Sequence, residues 1–549
     1  MGIAIDEPMM DTVPRIYSGY NIRVRAGKIE TLGLYGPLRD VEGEPVMLAS
    51  QDKFRSLFTT PSIATGQVLA GSASTLALIE FDPTSTIATG TRWKTYDVTP
   101  SPLATASDDI TTPSAGRIEI PPVWWFDDQD DLVVGQRADV ADDVPYQWGR
   151  NRNEPFRAIQ PSRHPNDPEW PSSPDVGPAP DPAPTPVPFG AVGGGIINRI
   201  LVLIGGSSFT APDPERHMTI RWSDRFDYGQ WTPSDVTISG EIQLEGGSRI
   251  VGGGITGFGV VAWTDCRMAI LRETFDSNSV FDRQYIDGGR GLLANNSWTE
   301  ADGKVYWIDE MRTLNVFDGG RPRQIVNTNK YATVERVEDG QAARIYLEPN
   351  MEFGEVIIFY PSGDSGDPQA ELVYNYLHDC WYIWALSRTA WSQRVGSIPN
   401  LGVGSDGAVW RHDLDVSLAN PWFPVLPSPQ QRSTDADDVM PIDFAMDTNL
   451  VVMDGPSYTS WRTTKVTLDY IPAPAEGADD TFSVSVRGFR EPVVSSPSVV
   501  ESHPWLINEV SRDYRIGGKA VQIRVSGVSV KTVYRFGKID INVATGGQR

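Results

Sequence analysis

Five histidines, two cysteines and 71 acidic residues are the groups of this 549-residue chain whose types could carry catalysis or hold a metal. His164, His217, His378, His412 and His503 stand singly. None has the His-Glu-x-x-His or Cys-x-x-Cys spacing that brings ligands to one ion, so loop or surface histidines are expected. Cys266 and Cys380 are too few for a metal cluster and are expected as buried free thiols, their pairing left open by the sequence. Asp127-Asp128-Gln129-Asp130-Asp131 offers oxygen ligands, but the glycine and distal glutamate of an EF-hand loop are missing. An exposed hairpin tip between Val123–Phe126 and Leu132–Gly135 is expected instead. Gly246-Gly247-Ser248 and Val251-Gly252-Gly253-Gly254 flank strand-like runs rather than opening helices, which favours tight turns or bulges over a phosphate cradle.

Hydrolytic chemistry has one foothold. Asp227-Tyr228-Gly229-Gln230-Trp231 approaches the Asp-box turn of sialidase-like propellers. Only one residue separates Gly229 from Trp231, however, and Arg225 stands where a serine belongs. A glycosidase also needs two carboxylates at a set separation, which a sequence cannot pair. No Gly-x-Ser-x-Gly elbow or P-loop occurs. The sequence therefore assigns no catalytic, cofactor-binding or metal residue, and the expectation is a protein that is not an enzyme.

The elements carrying these residues are short strands. Arg221-Trp222-Ser223-Asp224, Ala262-Trp263-Thr264-Asp265 and Tyr306-Trp307-Ile308-Asp309 each end a β-like run, with tryptophans 41 and then 44 residues apart. A period near ~40 residues suggests the four-stranded units of a β-propeller, each Asp capping the turn that follows it. Alternation on either side of Ala26-Gly27 reads as a hairpin with its polar positions outward. Residues 161–188 hold 11 prolines and read as an extended polyproline II crossover or arm. Beyond about residue 430, Lys465–Tyr470, Thr481–Val486, Val521–Val525 and Lys538–Val543 alternate strictly, as strands of a β-sandwich do.

The expected fold is thus all-β: a β-propeller with a proline-rich insertion and a C-terminal β-sandwich-like platform. Residues 1–160 would hold the N-terminal hairpin and first blades, 161–190 the proline-rich arm, 191–429 the remaining blades and 430–549 the platform.

The formal net charge is −24, and no basic patch suited to gripping phosphates is visible. Met1–Asp6 lacks a basic stretch followed by an apolar one, position 6 is not the Ser or Thr of a myristoylation motif, and no apolar run reaches membrane-spanning length. A soluble protein made in a cytoplasm is the expectation.

The ordered phrases Arg221–Asp224 with Trp231-Thr232-Pro233, Trp263–Asp265, Tyr306-Trp307, Phe317-Asp318-Gly319 and Phe359-Tyr360-Pro361-Ser362 resemble the tail hub, or nozzle, proteins of short-tailed bacteriophages. Tyr374-Asn375-Tyr376 with Trp381-Tyr382, Arg388–Trp391 and Asp406-Gly407 extend the resemblance. Asn21–Gly27 resembles the family's opening, and Tyr534–Ile539 with Gly546–Arg549 its ending. The set touches the whole chain, with its weight between residues 186 and 410, and the proline-rich segment is longer than the family's pattern. The resemblance implies a structural protein of the virion tail, assembled in the host cytoplasm as a hexameric ring. Its implied partners are the tail adaptor or head-completion protein and the tail fibre or needle proteins. Genomic DNA would pass its channel without specific binding, and it would insert into no membrane and use no cofactor. An acidic lumen would suit such a conduit, because each phosphate contact would retard ejection. The alternative is a propeller-type receptor- or glycan-binding adhesin, or a sialidase-like glycosidase.

Overall fold

The computed structural model describes residues from 10 to 545. Outside the description lie 12–15, 82–92, 104–122, 163–184, 208–217, 327–333, 415–441, 453–460, 473–480 and 490–496, and shorter connections. Among the described residues nearly all regular structure is β, with a short 3-10 turn at Asp339–Arg344. No helix among the described residues is long and apolar enough to cross a membrane.

The strands form a β-propeller. Among the described residues, four separate four-stranded sheets, two more fused into one eight-stranded sheet, and a seventh at the end of the largest sheet make seven blades. Blade 1 spans Ser56–Thr59 to Trp93–Asp97, blade 2 Trp124–Gln129 to Arg157–Ala158, blade 3 Gly193–Ile197 to Gly240–Gln243 and blade 4 Ile250–Thr256 to Ser279–Tyr285. Blade 5 spans Trp298–Ala301 to Arg323–Ile325 and blade 6 Tyr346–Asn350 to Cys380–Trp384. Blade 7 takes Ala390–Ser392, Leu401–Val403 and Val409–Leu414, and its outer strand is Leu34–Pro37, with Trp410 opposite Pro37.

Central strands such as Gly259–Thr264 are apolar from Val260 to Trp263 because both faces are covered by neighbouring blades. Trp263 and Trp307 pack together, ring centroids 5.9 Å apart, between blades 4 and 5. Truncating either fully buried indole to alanine would cost about 3–5 kcal/mol. The three Trp-Asp phrases are not in phase. Trp263 and Trp307 close the second strands of their blades, whereas Trp222 closes a third strand. Their aspartates also differ. Asp309 caps its own turn through Met311 N and Thr313 N at 3.1 and 2.9 Å, as expected. Asp224 instead accepts from Ile238 N at 3.0 Å, and Asp265 from Ser248 N at 2.9 Å, fastening more distant connections.

The glycine runs divide likewise. Gly246 and Gly247 take positive φ in a turn, but Gly252–Gly254 lie inside the inner strand of blade 4, beside a register shift. Gly194 pairs there with Gly254 in parallel, fusing blades 3 and 4. A Cβ on Gly193 would sit 2.2 Å from Gly253 O, so only glycine permits this approach.

A second unit is a β-sandwich. One sheet orders Leu450–Val452, Ala520–Ser529, Ile442–Thr448 and Ile16–Tyr20, with Thr481–Phe489 and Val499–Trp505 branching from Ala520–Ser529. The other orders Ile22–Arg25, Lys28–Thr31, Tyr534–Thr545, Trp461–Pro472 and Ser511–Gly518. Alternating residues such as Val466, Leu468, Val484, Val486, Ile523 and Val525 fill the space between them. The N-terminal hairpin therefore belongs with the C-terminal sheets rather than with the first blades: Ile29 pairs with Phe536 and Glu30 with Arg535. Its polar positions do not face outward. Arg23, Glu30 and Thr31 are buried, because the face opposite the sandwich core is covered as well. Residues 163–184 of the proline-rich stretch, and the polar stretch 430–438, lie outside the described residues.

Candidate functional site

The hairpin brings Arg23 onto blades 6 and 7. Its Nε donates to Glu355 Oε1 at 2.6 Å, Nη2 to Glu355 Oε2 at 3.0 Å and Nη1 to Asp413 Oδ1 at 2.6 Å. The guanidinium lies 3.5 Å from the centre of the Phe353 ring and 5.0 Å from that of Trp384. The Tyr382 hydroxyl donates to Glu355, Asn350 Nδ2 donates to Glu355 Oε2 at 2.9 Å, and Asn400 Nδ2 to Asp413 Oδ2 at 2.7 Å. Asp413 has φ 55° and lies where the pairing of Val409–Leu414 with Leu34–Pro37 shifts register. Such an irregularity re-aims a side chain, here onto Arg23.

Burial opposes the charge of Arg23, but Asp413 and Glu355 outweigh it and raise its pKa well above the ordinary value. Two carboxyls share one cation, and burial pushes Glu355 up to about 7 despite Arg23. Breaking such a pair leaves an uncompensated buried charge, so the cluster acts as a clamp between sandwich and propeller.

Behind it, Arg388 Nε donates to His412 Nε2 at 3.0 Å, which fixes that nitrogen as the acceptor. Burial, then Arg388 and Arg23, hold His412 well below its ordinary pKa, so it is a neutral core group rather than the loop or surface histidine expected. Glu371, fully buried nearby, is driven well above the carboxylate range by burial.

The acidic run is not a simple hairpin tip. Asp127 and Asp128 belong to the inner strand Trp124–Gln129, and Asp127 accepts from Ile196 N of blade 3 at 2.7 Å. Burial raises Asp127 to about 6. Asp130 and Asp131 lie outside the described residues, as do His164 and His217. His503 sits 2.8 Å from Glu501 in the sandwich, and His378 lies in a blade-6 turn. Cys380 is buried and pushed up to about 12 by burial, whereas Cys266 is exposed, contrary to expectation. Among the described residues, no three His, Cys, Asp or Glu side chains are grouped to hold a metal.

A groove of about 1000 Å³ opens between blades 2 and 3. Phe226 stands in it 68% exposed, at φ 70°, donating its N–H to Arg199 O at 2.9 Å. The Arg199 guanidinium is 5.0 Å from the Phe226 ring centre, and Arg199 and Asn198 also have positive φ. Gln129, Gln147, Gln160, Arg157 and Tyr228 line the walls. The Asp227 carboxylate accepts from Ser162 Oγ at 2.8 Å and Gly229 N at 3.0 Å, while Trp231 is buried, donating to Tyr228 O at 2.8 Å. Left-handed backbone at an aromatic residue costs about 1–3 kcal/mol. Leaving the ring in water forgoes much of the about 1.5–3 kcal/mol that burial would supply. The exposed cation–π contact returns only about 0.5–1 kcal/mol. Neither the clamp nor this groove shows in the local sequence: Arg23 meets partners 332 and 390 residues away, and Phe226 carries no pattern beyond that of a turn.

Fold and site define an all-β propeller protein joined to a sandwich. No protein-family model and no curated protein matches the sequence. Among solved structures, the chain is similar to the PQQ-bound aldose sugar dehydrogenase of Streptomyces coelicolor at 12% identity and TM-score 0.30, covering 61% of this chain and 96% of that one. It is also similar to an uncharacterised protein of Listeria monocytogenes EGD-e at 8% identity and TM-score 0.28, covering 68% and 96%. At these scores neither likeness carries an argument about activity.

Proposed function

We propose that the chain is a structural tail hub, or nozzle, of a short-tailed virus: a non-enzymatic subunit that joins its copies in a ring and conducts genomic DNA. The clamp at Arg23 is the observation that carries this reading. It ties a propeller to a platform through a buried, multiply bonded ion cluster, as a part under load requires, and it exposes no reactive group. The net charge of −24 supports passage of a polyanion without retention. Every tryptophan whose side chain is described is buried or half-buried, so these indoles serve packing within the scaffold. Electron microscopy of the purified chain together with its adaptor protein tests the proposal. Closed rings with an axial opening are the expected result; monomers at every ratio, with no adaptor binding, would overturn it.

A further inference from the structure

We infer that the groove between blades 2 and 3 is a binding site for a neutral oligosaccharide, with one pyranose ring stacked on Phe226. The inference stands on the groove alone, whether or not the chain assembles into a ring. A pyranose offers a flat C–H face and a rim of adjacent hydroxyls. The groove offers the complement: an exposed aromatic face, a guanidinium behind it, and carboxamides on the walls. Gln129 Oε1 accepts from Arg199 N at 3.1 Å and Gln160 Nε2 donates to Ala158 O at 3.2 Å, so both amides are held in orientation. Planar side chains fixed in this way pair with vicinal hydroxyls at little entropic cost. A neutral ligand follows from charge: Arg157 is paired with Glu154 at 3.0 Å, and a chain of net charge −24 repels an extended polyanion. Phe226 itself is held outward on strained backbone, which packing alone does not explain.

Calorimetric titration of the full chain with maltoheptaose, cellohexaose, chitohexaose and mannohexaose, and with oligogalacturonate as the anionic control, tests the site. At least one neutral sugar is expected to bind. Phe226→Gly, which suits the positive φ and removes the exposed ring with its Arg199 contact, should weaken that binding about tenfold or more with no fall in melting temperature. Phe226→Tyr should retain it. Failure of all four neutral sugars, binding of oligogalacturonate alone, or equal affinity in Phe226→Gly would each overturn the inference.

Discussion

Replacing Arg23 with methionine keeps much of the volume of the side chain and removes its charge. Three charge-assisted hydrogen bonds disappear, and Glu355 and Asp413 are left 0% and 6% exposed with no cation. Asn350, Asn400 and Tyr382 still donate to them, which limits the loss. Breaking a buried pair from one side costs about 3–5 kcal/mol, and that is the expected loss at pH 8, read by urea unfolding followed by tryptophan fluorescence. At pH 5.5 the loss should be smaller, because Glu355, already pushed up to about 7, takes a proton and removes one orphaned charge. Adding Glu355→Gln to the variant should recover part of the loss at pH 8 and little at pH 5.5. Amide exchange at Ile22–Arg25 should accelerate in the single variant. A loss below about 1 kcal/mol at pH 8, the behaviour of an exposed ion pair, would refute the clamp.

The same physics sets the pH response. A carboxyl whose native pKa lies above its unfolded value contributes stability that is full below the unfolded value and is lost as pH rises through the native one. Asp127, Glu355 and Glu348, raised to about 6, 7 and 8, place that loss between about pH 4 and 8. Unfolding midpoints should therefore fall from pH 5 to pH 8.5, and Asp127→Asn with Glu355→Gln should flatten the fall; an identical slope in the double variant would contradict it. In the native chain a thiol reagent should label Cys266 and spare Cys380, with both reacting in denaturant, as counted by mass spectrometry. Gly193→Ala should destabilise by about 3 kcal/mol or more or prevent folding, while Gly149→Ala, whose Cβ meets nothing within 4 Å, should leave the melting temperature nearly unchanged.

Local pattern made the strands readable. The alternation at Val466 and Leu468 and the apolar run Gly259–Thr264 report burial on one face and on two. Ring closure left no such trace, because blade 7 is completed by Leu34–Pro37, hundreds of residues from Val409–Leu414. Spacing misled where it mixed phases: Trp222 and Trp263 close different strands of their blades. The hairpin failed differently. Alternation says which residues share a face, but not whether the second face meets water, and here it meets blade 6. Asp413 owes its position to a register shift that no residue type announces.

The role proposed for this chain is as part of a conduit at the tail. Gold-labelled antibody against it, imaged on intact tailed particles, tests that claim most directly. Label is expected in a collar immediately below the neck, on the axis along which DNA leaves. Label confined to distal fibres, or absent from particles altogether, would contradict it.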